Sequence, residues 1–242
     1  MSSIDLNSDV GEGVNNEAAL MPLISSCNIA CGGHAGSVEI MKEVTALAIK
    51  NNVKIGAHPG YEDKANFGRV PLDISRKQLQ ESIQTQILQL KEITAAQGAS
   101  LHHIKPHGAL YNKAAVDKET AAVIIETIKA IDDALILYVP YHSVILEMAQ
   151  GVLPVKIEGF ADRNYNRDYT LVSRSKSDAL ITEPAAVMRH INHMINGQLY
   201  CVSGEIQPIQ VGTICVHGDT KSALEILSYI HKNAKQHQIE IV

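Results

Sequence analysis

Four histidines of this chain stand beside a glycine or a proline, in "CGGHAG" (31–36), "GAHPG" (56–60), "KPHGAL" (105–110) and "CVHGD" (215–219). Imidazole titrates near neutrality and is a common metal ligand, which makes His34, His58, His107 and His217 candidates for proton transfer or ligation. Glycine lets a backbone turn sharply and approach a bound molecule closely, and Gly108 is read in that way. Carboxyl groups recur near these motifs: Asp9 and Glu12 in "SDVGEG", Glu158 and Asp162 in "EGFADR", and Asp219 just after His217. Three cations, Arg69, Lys105 and Arg163, and two amides, Asn7 and Asn28, complete the set. Lys105 closes the apolar run "LHHIK", where an ammonium group gains nothing unless it is paired. Such groups can activate water, protonate a leaving group and hold an anion.

Each also has an ordinary use. A histidine beside a glycine is commonly just a loop or core residue, and Asp9, Glu12 or Asp219 could simply cap a helix. Four such histidines at equivalent places in a fold outweigh that reading. His190 and His193 in "RHINHM" are instead placed on a solvated helix face, and His231 and His237 are read as solvated. Cys27 and Cys31 lack the second ligand pair of a structural zinc site.

The elements that must position these residues alternate in type. Strands are expected at 3–9, 26–31, 53–58, 101–105, 135–139, 155–160 and 213–218. A helix opens at Ser37, with Met41, Val44, Leu47 and Ala48 as its apolar face. Another runs from Ser75 to Gln97, where Ser75 and Gln78 form a capping box, Gly98 is the stop, and Leu79, Ile83, Ile87, Leu90 and Ile93 form the stripe. Further helices span 117–131 and 143–150, begin at 182–184 around Pro184, and span 220–233. Residues 198–211 read as a hairpin outside the repeat. Strands alternating with amphipathic helices pair in parallel through right-handed crossovers. Seven β/α units without a GxGxxG fingerprint predict one α/β domain over 1–242, a seven-stranded TIM-like β/α barrel. In such barrels the loops at the C-terminal strand ends form the active face, and every candidate above falls there.

Composition narrows the function. The chain has 242 residues, 45% hydrophobic, with a formal net charge of −5, no Trp and two Phe. That gives neither the basic footprint nor the stacking platform of a nucleic-acid binder. There is no signal-like N-terminus, no membrane-spanning run and no CxxC pair among four cysteines, so a soluble cytoplasmic protein is expected. No GxxxxGK[ST] motif is present.

Together, "DLNSDVGEG" (5–13), "NIACGGHAG" (28–36), "IGAHPGYED" (55–63), "FGR" (67–69), "KPHGALYN" (105–112), "EGFADRNY" (158–165) and "CVHGD" (215–219) resemble the LamB/YcsF family from end to end. Departures include Val70 after "FGR" and Tyr169 where glycine is usual. The resemblance implies a barrel related to the glycoside hydrolase/deacetylase superfamily. It also implies the A subunit of an ATP-hydrolysing 5-oxoprolinase, converting 5-oxo-L-proline to L-glutamate with subunits B and C.

On that basis Asp9, His58, Lys105, His107 and Asp219 are the expected catalytic residues. Asn7, Asn28, His34, Arg69, Glu158, Arg163 and His217 are the expected substrate-binding residues. His58 or His107 would handle protons, Asp9 or Asp219 would orient a histidine or activate water, and Lys105 and Arg69 would hold the substrate carboxylate. Lys105→Ala and His107→Ala are expected to cost little stability, since little apolar volume is lost. ATP is expected to bind largely through the partner subunits; a divalent metal and a homo-oligomer are left open. One alternative is a metal-dependent amidohydrolase or carbohydrate deacetylase, with Asp9 and His34, His58 or His107 as ligands. Another is a non-catalytic barrel that binds a metabolite and regulates a partner.

Overall fold

Short strands, each followed along the chain by a helix, close on themselves in the barrel of this protein. The computed structural model describes residues 2–242. In chain order the strands are β1 (Ser2–Val10), β2 (Ser26–Ala30), β3 (Lys54–His58), β4 (His103–Ile104), β5 (Ile136–Pro140) and β6 (Val155–Phe160). The antiparallel hairpin β7 (Gln198–Tyr200) and β8 (Ile206–Pro208), then β9 (Thr213–Cys215) and β10 (Ile239–Ile241), follow. Strands β1 to β6 and β9 pair in parallel, and β1 pairs with both β2 and β9, so seven strands close a barrel. The unforeseen β10 adds to the first residues of β1.

Helices α1 (Glu17–Leu20), α2 (Val38–Lys50), α3 (Arg76–Ala96), α4 (Gly108–Ala114), α5 (Lys118–Ile131), α6 (Val144–Ala149), α7 (Pro184–Ile195) and α8 (Ala223–Asn233) surround it. Their starts follow local chemistry. Ser37 accepts from Ile40 N–H, Ser75 and Gln78 form the reciprocal box, Asp117 accepts from Thr120 N–H, and Glu183 caps α7 ahead of Pro184. Their buried stripes pack on the outward residues of the strands, such as Leu6 and Val10.

Where "LHHIK" was expected to be a full strand, only two residues are regular. Bonds from His102 N–H to Ile55 O and from Lys105 N–H to Ala57 O still extend the pairing along it. Pro106 has no N–H to continue the ladder, and α4 starts at Gly108 instead. On α7, His190 is buried among Val187, Met188, Ile191 and Met194 rather than solvated; His231 and His237 are exposed as expected. No helix among the described residues is long and apolar enough to cross a membrane.

The inward positions of β1 make the barrel axis polar. Asp5 accepts from Ser26 Oγ at 2.7 Å and Thr213 Oγ1 at 2.6 Å near one end. Asn7 lies above it, and Asp9 above Asn7 at the C-terminal end, where the site is built.

Candidate active site

The C-terminal strand ends open into a cavity of about 510 Å³. At its floor is Lys105, fully buried, with Nζ 2.9 Å from Asp9 Oδ1, 3.0 Å from Glu158 Oε1 and 3.1 Å from Cys215 Sγ. Burial works against the ammonium charge, but Asp9, Cys215 and Glu158 overcome it and hold Lys105 well above its ordinary value. Burial would likewise raise Asp9, yet His58 and Lys105 keep it well below the carboxylate range. Asn28 donates to Asn7 Oδ1 and Asp9 Oδ1, both at 2.8 Å, and Asn7 donates to Glu158 Oε1 at 2.9 Å. These amides tie the carboxylates into one network.

Beside this network three imidazoles surround Glu12. His34 Nε2 lies 2.9 Å from Glu12 Oε1, His107 Nδ1 lies 3.3 Å away and His58 Nε2 lies 3.8 Å away. The rings of His34 and His107 stack at 3.5 Å. His58 Nε2 is 2.9 Å from His107 Nδ1 and 3.5 Å from Asp9 Oδ2. Burial opposes charge on all three. In His58 the charge of Asp9 wins and the ring is raised, whereas His107 is lowered and His34 falls to about 4. Burial also opposes charge on Glu12, but the imidazoles around it, His107 and His34 foremost, hold it far below the usual carboxylate range. Glu12, His34, His58 and His107 each bring one atom of ligand type within 4.8 Å of the others.

Across the cavity, His217 Nδ1–H donates to Asp162 Oδ1 at 2.8 Å, and its ring stacks on Phe160. Asp162 also accepts from Thr220 Oγ1 at 2.6 Å. Burial alone would raise Asp162, but His217 and Thr220 hold it below its ordinary value. The tautomer leaves His217 Nε2 basic and unpartnered, the arrangement of a general base oriented by a carboxylate. At the mouth, Asp219 Oδ2 accepts from Arg69 at 2.7 Å and Arg174 at 3.3 Å. Tyr141 and Tyr169 line the same rim; Tyr169 takes φ +66, the backbone region where glycine is more usual.

The fold brings the twelve expected residues to one end of the barrel, where several make contacts that the sequence does not foretell. Asn7, Asn28 and His34 do not line the cavity; they stand behind Asp9, Lys105 and Glu12. The Lys105 ammonium donates to Asp9 and Cys215 and is paired with Glu158, so it is not a free clamp for a carboxylate. Asp219 pairs with arginines and not with a histidine. Arg163 lines the cavity, but its guanidinium donates to the carbonyls of Ala179 and Val172 and ties down the loop that carries Arg174. Gly108 (φ +50) is packed on protein: a Cβ there would lie 2.9 Å from Gly68 O. Glu12 gains a central place, and Arg174 and His103 join the assembly without having been foreseen. The pairing of His103 with Gly56 was open to inspection in "IGAH" and "LHHIK", but only strand register brings them together.

The LamB/YcsF family model matches residues 4–242. A protein of Limosilactobacillus fermentum, described as the A subunit of 5-oxoprolinase, is 41% identical, with 100% of this chain and 99% of that protein covered. One of the same description from Pyrococcus abyssi is 40% identical, covering 99% of this chain and 96% of that protein. The crystal structure of a lactam utilization protein from Thermus thermophilus superimposes with a TM-score of 0.92 at 35% identity, covering 100% and 99% of the two chains. An Enterococcus faecalis structure at 12% identity and a TM-score of 0.62, over 100% of this chain and 97% of the other, shares the fold alone.

Proposed function

This chain belongs to the LamB/YcsF family, and from that premise we propose that it is the lactam-opening component of an ATP-dependent 5-oxoprolinase, a cytoplasmic hydrolase acting with subunits B and C. The observation that carries the reading is the convergence, on one cavity, of an arginine pair suited to a carboxylate with imidazoles suited to proton transfer and charge stabilisation. Relatives of the same length that are described as the A component of 5-oxoprolinase support the choice of lactam.

5-Oxo-L-proline is a cyclic amide with one carboxylate. Arg69 and Arg174 hold that carboxylate at the rim, exchanging part of their contact with Asp219 for it. His58 and His107 line the cavity beside the ring oxygen, and a cation shared by their facing nitrogens stabilises charge that develops there. His217, oriented by Asp162, takes the proton of the attacking water and returns it to the departing nitrogen. Asp9, anchored by Lys105, fixes His58.

Amide resonance must be overcome before water can attack. The chain has no phosphate-cradling motif, so the partner subunits bind ATP and transfer its terminal phosphoryl group to the lactam oxygen, releasing ADP. Water adds to the activated carbon, the C–N bond breaks and the nitrogen leaves as the amine. The resulting acyl phosphate takes up a second water, giving glutamate and phosphate. The cavity of about 510 Å³ leaves room for a phosphorylated small lactam.

Glutamate release from 5-oxoproline and ATP, measured for this chain alone, for B and C together and for all three, tests the reading. Turnover is expected only with all three. Full activity of this chain alone, or none in the complete set, would overturn it.

A further inference from the structure

Backbone carbonyls fix the protonation of the two central imidazoles. His58 Nδ1 lies 2.6 Å from Lys105 O, and His107 Nε2 lies 2.9 Å from Phe67 O. A carbonyl oxygen can only accept, so each of these nitrogens carries a proton. In the neutral rings the basic nitrogens are therefore His58 Nε2 and His107 Nδ1, and these two face each other at 2.9 Å. Two lone pairs at that distance repel unless a cation shares them. Glu12 Oε1 completes a triangle with them, 3.3 Å from His107 Nδ1 and 3.8 Å from His58 Nε2.

We propose that Glu12, His58 and His107 form a binding site for a divalent transition-metal ion, with an open coordination position facing the cavity. The three separations bracket the edge, roughly 3.3 Å, of a tetrahedron whose centre lies ~2.0–2.1 Å from nitrogen and oxygen ligands. Two imidazoles and a carboxylate suit zinc or cobalt better than magnesium or calcium. The ligands carry the support that metal-binding histidines ordinarily have, a carbonyl on the far nitrogen of each ring. His34 does the same for the carboxylate through Nε2–H at 2.9 Å. Its own Nδ1 is buried without a partner, and it does not line the cavity, whereas the three ligands do. His34 therefore holds Glu12 and leaves the fourth position open.

Charge points the same way. Asp9 and Glu158 share the single ammonium of Lys105, and Glu12, its side chain only 5% exposed, adds a third carboxylate beside His58. A divalent ion beside Glu12 balances the remaining charge, whereas a shared proton balances half of it.

The test uses the full chain, stripped with a chelator, freed of it and titrated with Co²⁺ alone under visible spectroscopy and calorimetry. One equivalent is expected to bind with the absorption of a low-coordinate nitrogen–oxygen site, and excess Mg²⁺ should not displace it. His58→Ala and His107→Ala should each weaken binding by about a hundredfold or more, His34→Gln by about tenfold or more, and His231→Ala not at all. Absence of saturable Co²⁺ binding by the folded wild-type chain would overturn the proposal and leave a shared proton in its place. So would binding unchanged in both histidine variants. Where a variant fails to fold, the imidazole ¹⁵N shifts of His58 and His107 in the wild-type chain decide: Zn²⁺ must move both, and unmoved shifts overturn the site. None of these readouts uses lactam turnover, so Co²⁺ binding without 5-oxoproline hydrolysis would refute the proposed function and leave the metal site standing.

Discussion

The imidazole of His103 occupies the volume that a side chain on Gly56 would need. A Cβ at position 56 would lie 2.1 Å from His103 Nε2 and 2.4 Å from two ring carbons. The ring enters the barrel axis through that gap, stacks on Tyr138 at 4.1 Å and donates from Nε2 to Asn28 Oδ1 at 2.8 Å. Burial pushes its pKa well below the ordinary value, so it is a neutral donor. Asn28 is thereby aimed at Asp9 and Asn7. A glycine with no role in any turn thus determines how the floor of the site is held.

Gly56→Ala should accordingly destabilise the fold by roughly 1–3 kcal/mol through overpacking. Adding His103→Ala should recover part of that loss, giving a coupling energy of about 0.5–3 kcal/mol in a urea-denaturation double-mutant cycle. Strict additivity would show that something other than the imidazole fills the gap.

Lys105 is more than a charged group at a strand end. Removing it leaves Asp9 and Glu158 buried without their counter-ion, so Lys105→Met should cost about 3–5 kcal/mol. This replaces the smaller loss expected from side-chain volume alone. Equilibrium unfolding checks it, and wild-type stability in the variant would mean that water or another cation already compensates these carboxylates.

The barrel was legible because its signals are local: short apolar runs, helix stripes and caps such as Ser75 with Gln78. The active face was legible because polar groups at strand ends, like Asp9 and Lys105, interrupt apolar runs. What escaped depends on contacts between distant segments. Lys105 looks like a free clamp until the groups that surround it, from β1, β6 and β9, are in view. Glu12 sits in a glycine-rich turn, and nothing local says that three imidazoles from other strand ends will converge on it. Arg174 lies in a long loop without periodicity. His190, one turn from His193, reads as surface because a polar residue inside the apolar seam of α7 carries no mark of its own.

That buried histidine gives a pH dependence. Burial lowers His190 to about 4, below the 6.5 of an unperturbed imidazole. Between these values the unfolded chain binds a proton that the folded chain does not. Stability therefore falls as pH drops from 6.5 towards 4, by at most roughly 3 kcal/mol, and this penalty is absent above 6.5. His190 Nε2 has no partner to lose, so His190→Leu should remove the penalty. Its melting temperature relative to wild type should rise progressively below pH 6.5; a constant difference across pH would place the acid sensitivity elsewhere.

Arg69 and Arg174 share one oxygen of Asp219 at a partly exposed rim, where an ion pair contributes little to stability. Under the lactam reading, Arg69→Met and Arg174→Met should each raise KM for 5-oxoproline about tenfold or more and change kcat less, with the melting temperature nearly constant. Lysine at either position should restore only part of the affinity, since it lacks the bidentate fork. An unchanged KM in both variants would move the carboxylate subsite away from the rim.

Asp162 offers the sharpest test of the chemistry because it acts on His217 without touching the cavity's centre. Its Oδ1 accepts the proton of His217 Nδ1, and its Oδ2 accepts from Thr220 Oγ1 and His217 N–H. Asp162→Asn is nearly isosteric and can keep its oxygen on Thr220, which turns the amide NH₂ towards Nδ1. An N–H facing Nδ1 favours the other tautomer, with the proton on Nε2, and the base that should meet water is lost. The complete enzyme carrying this substitution should lose about a hundredfold or more in kcat, with little change in KM, because the damage lies in proton transfer and not in binding. Folding must be followed alongside, since Asp162 also anchors the loop before α8: a kcat loss that only tracks the loss of folded protein would make Asp162 structural. Near-normal kcat in a folded variant would remove His217 from the role of base.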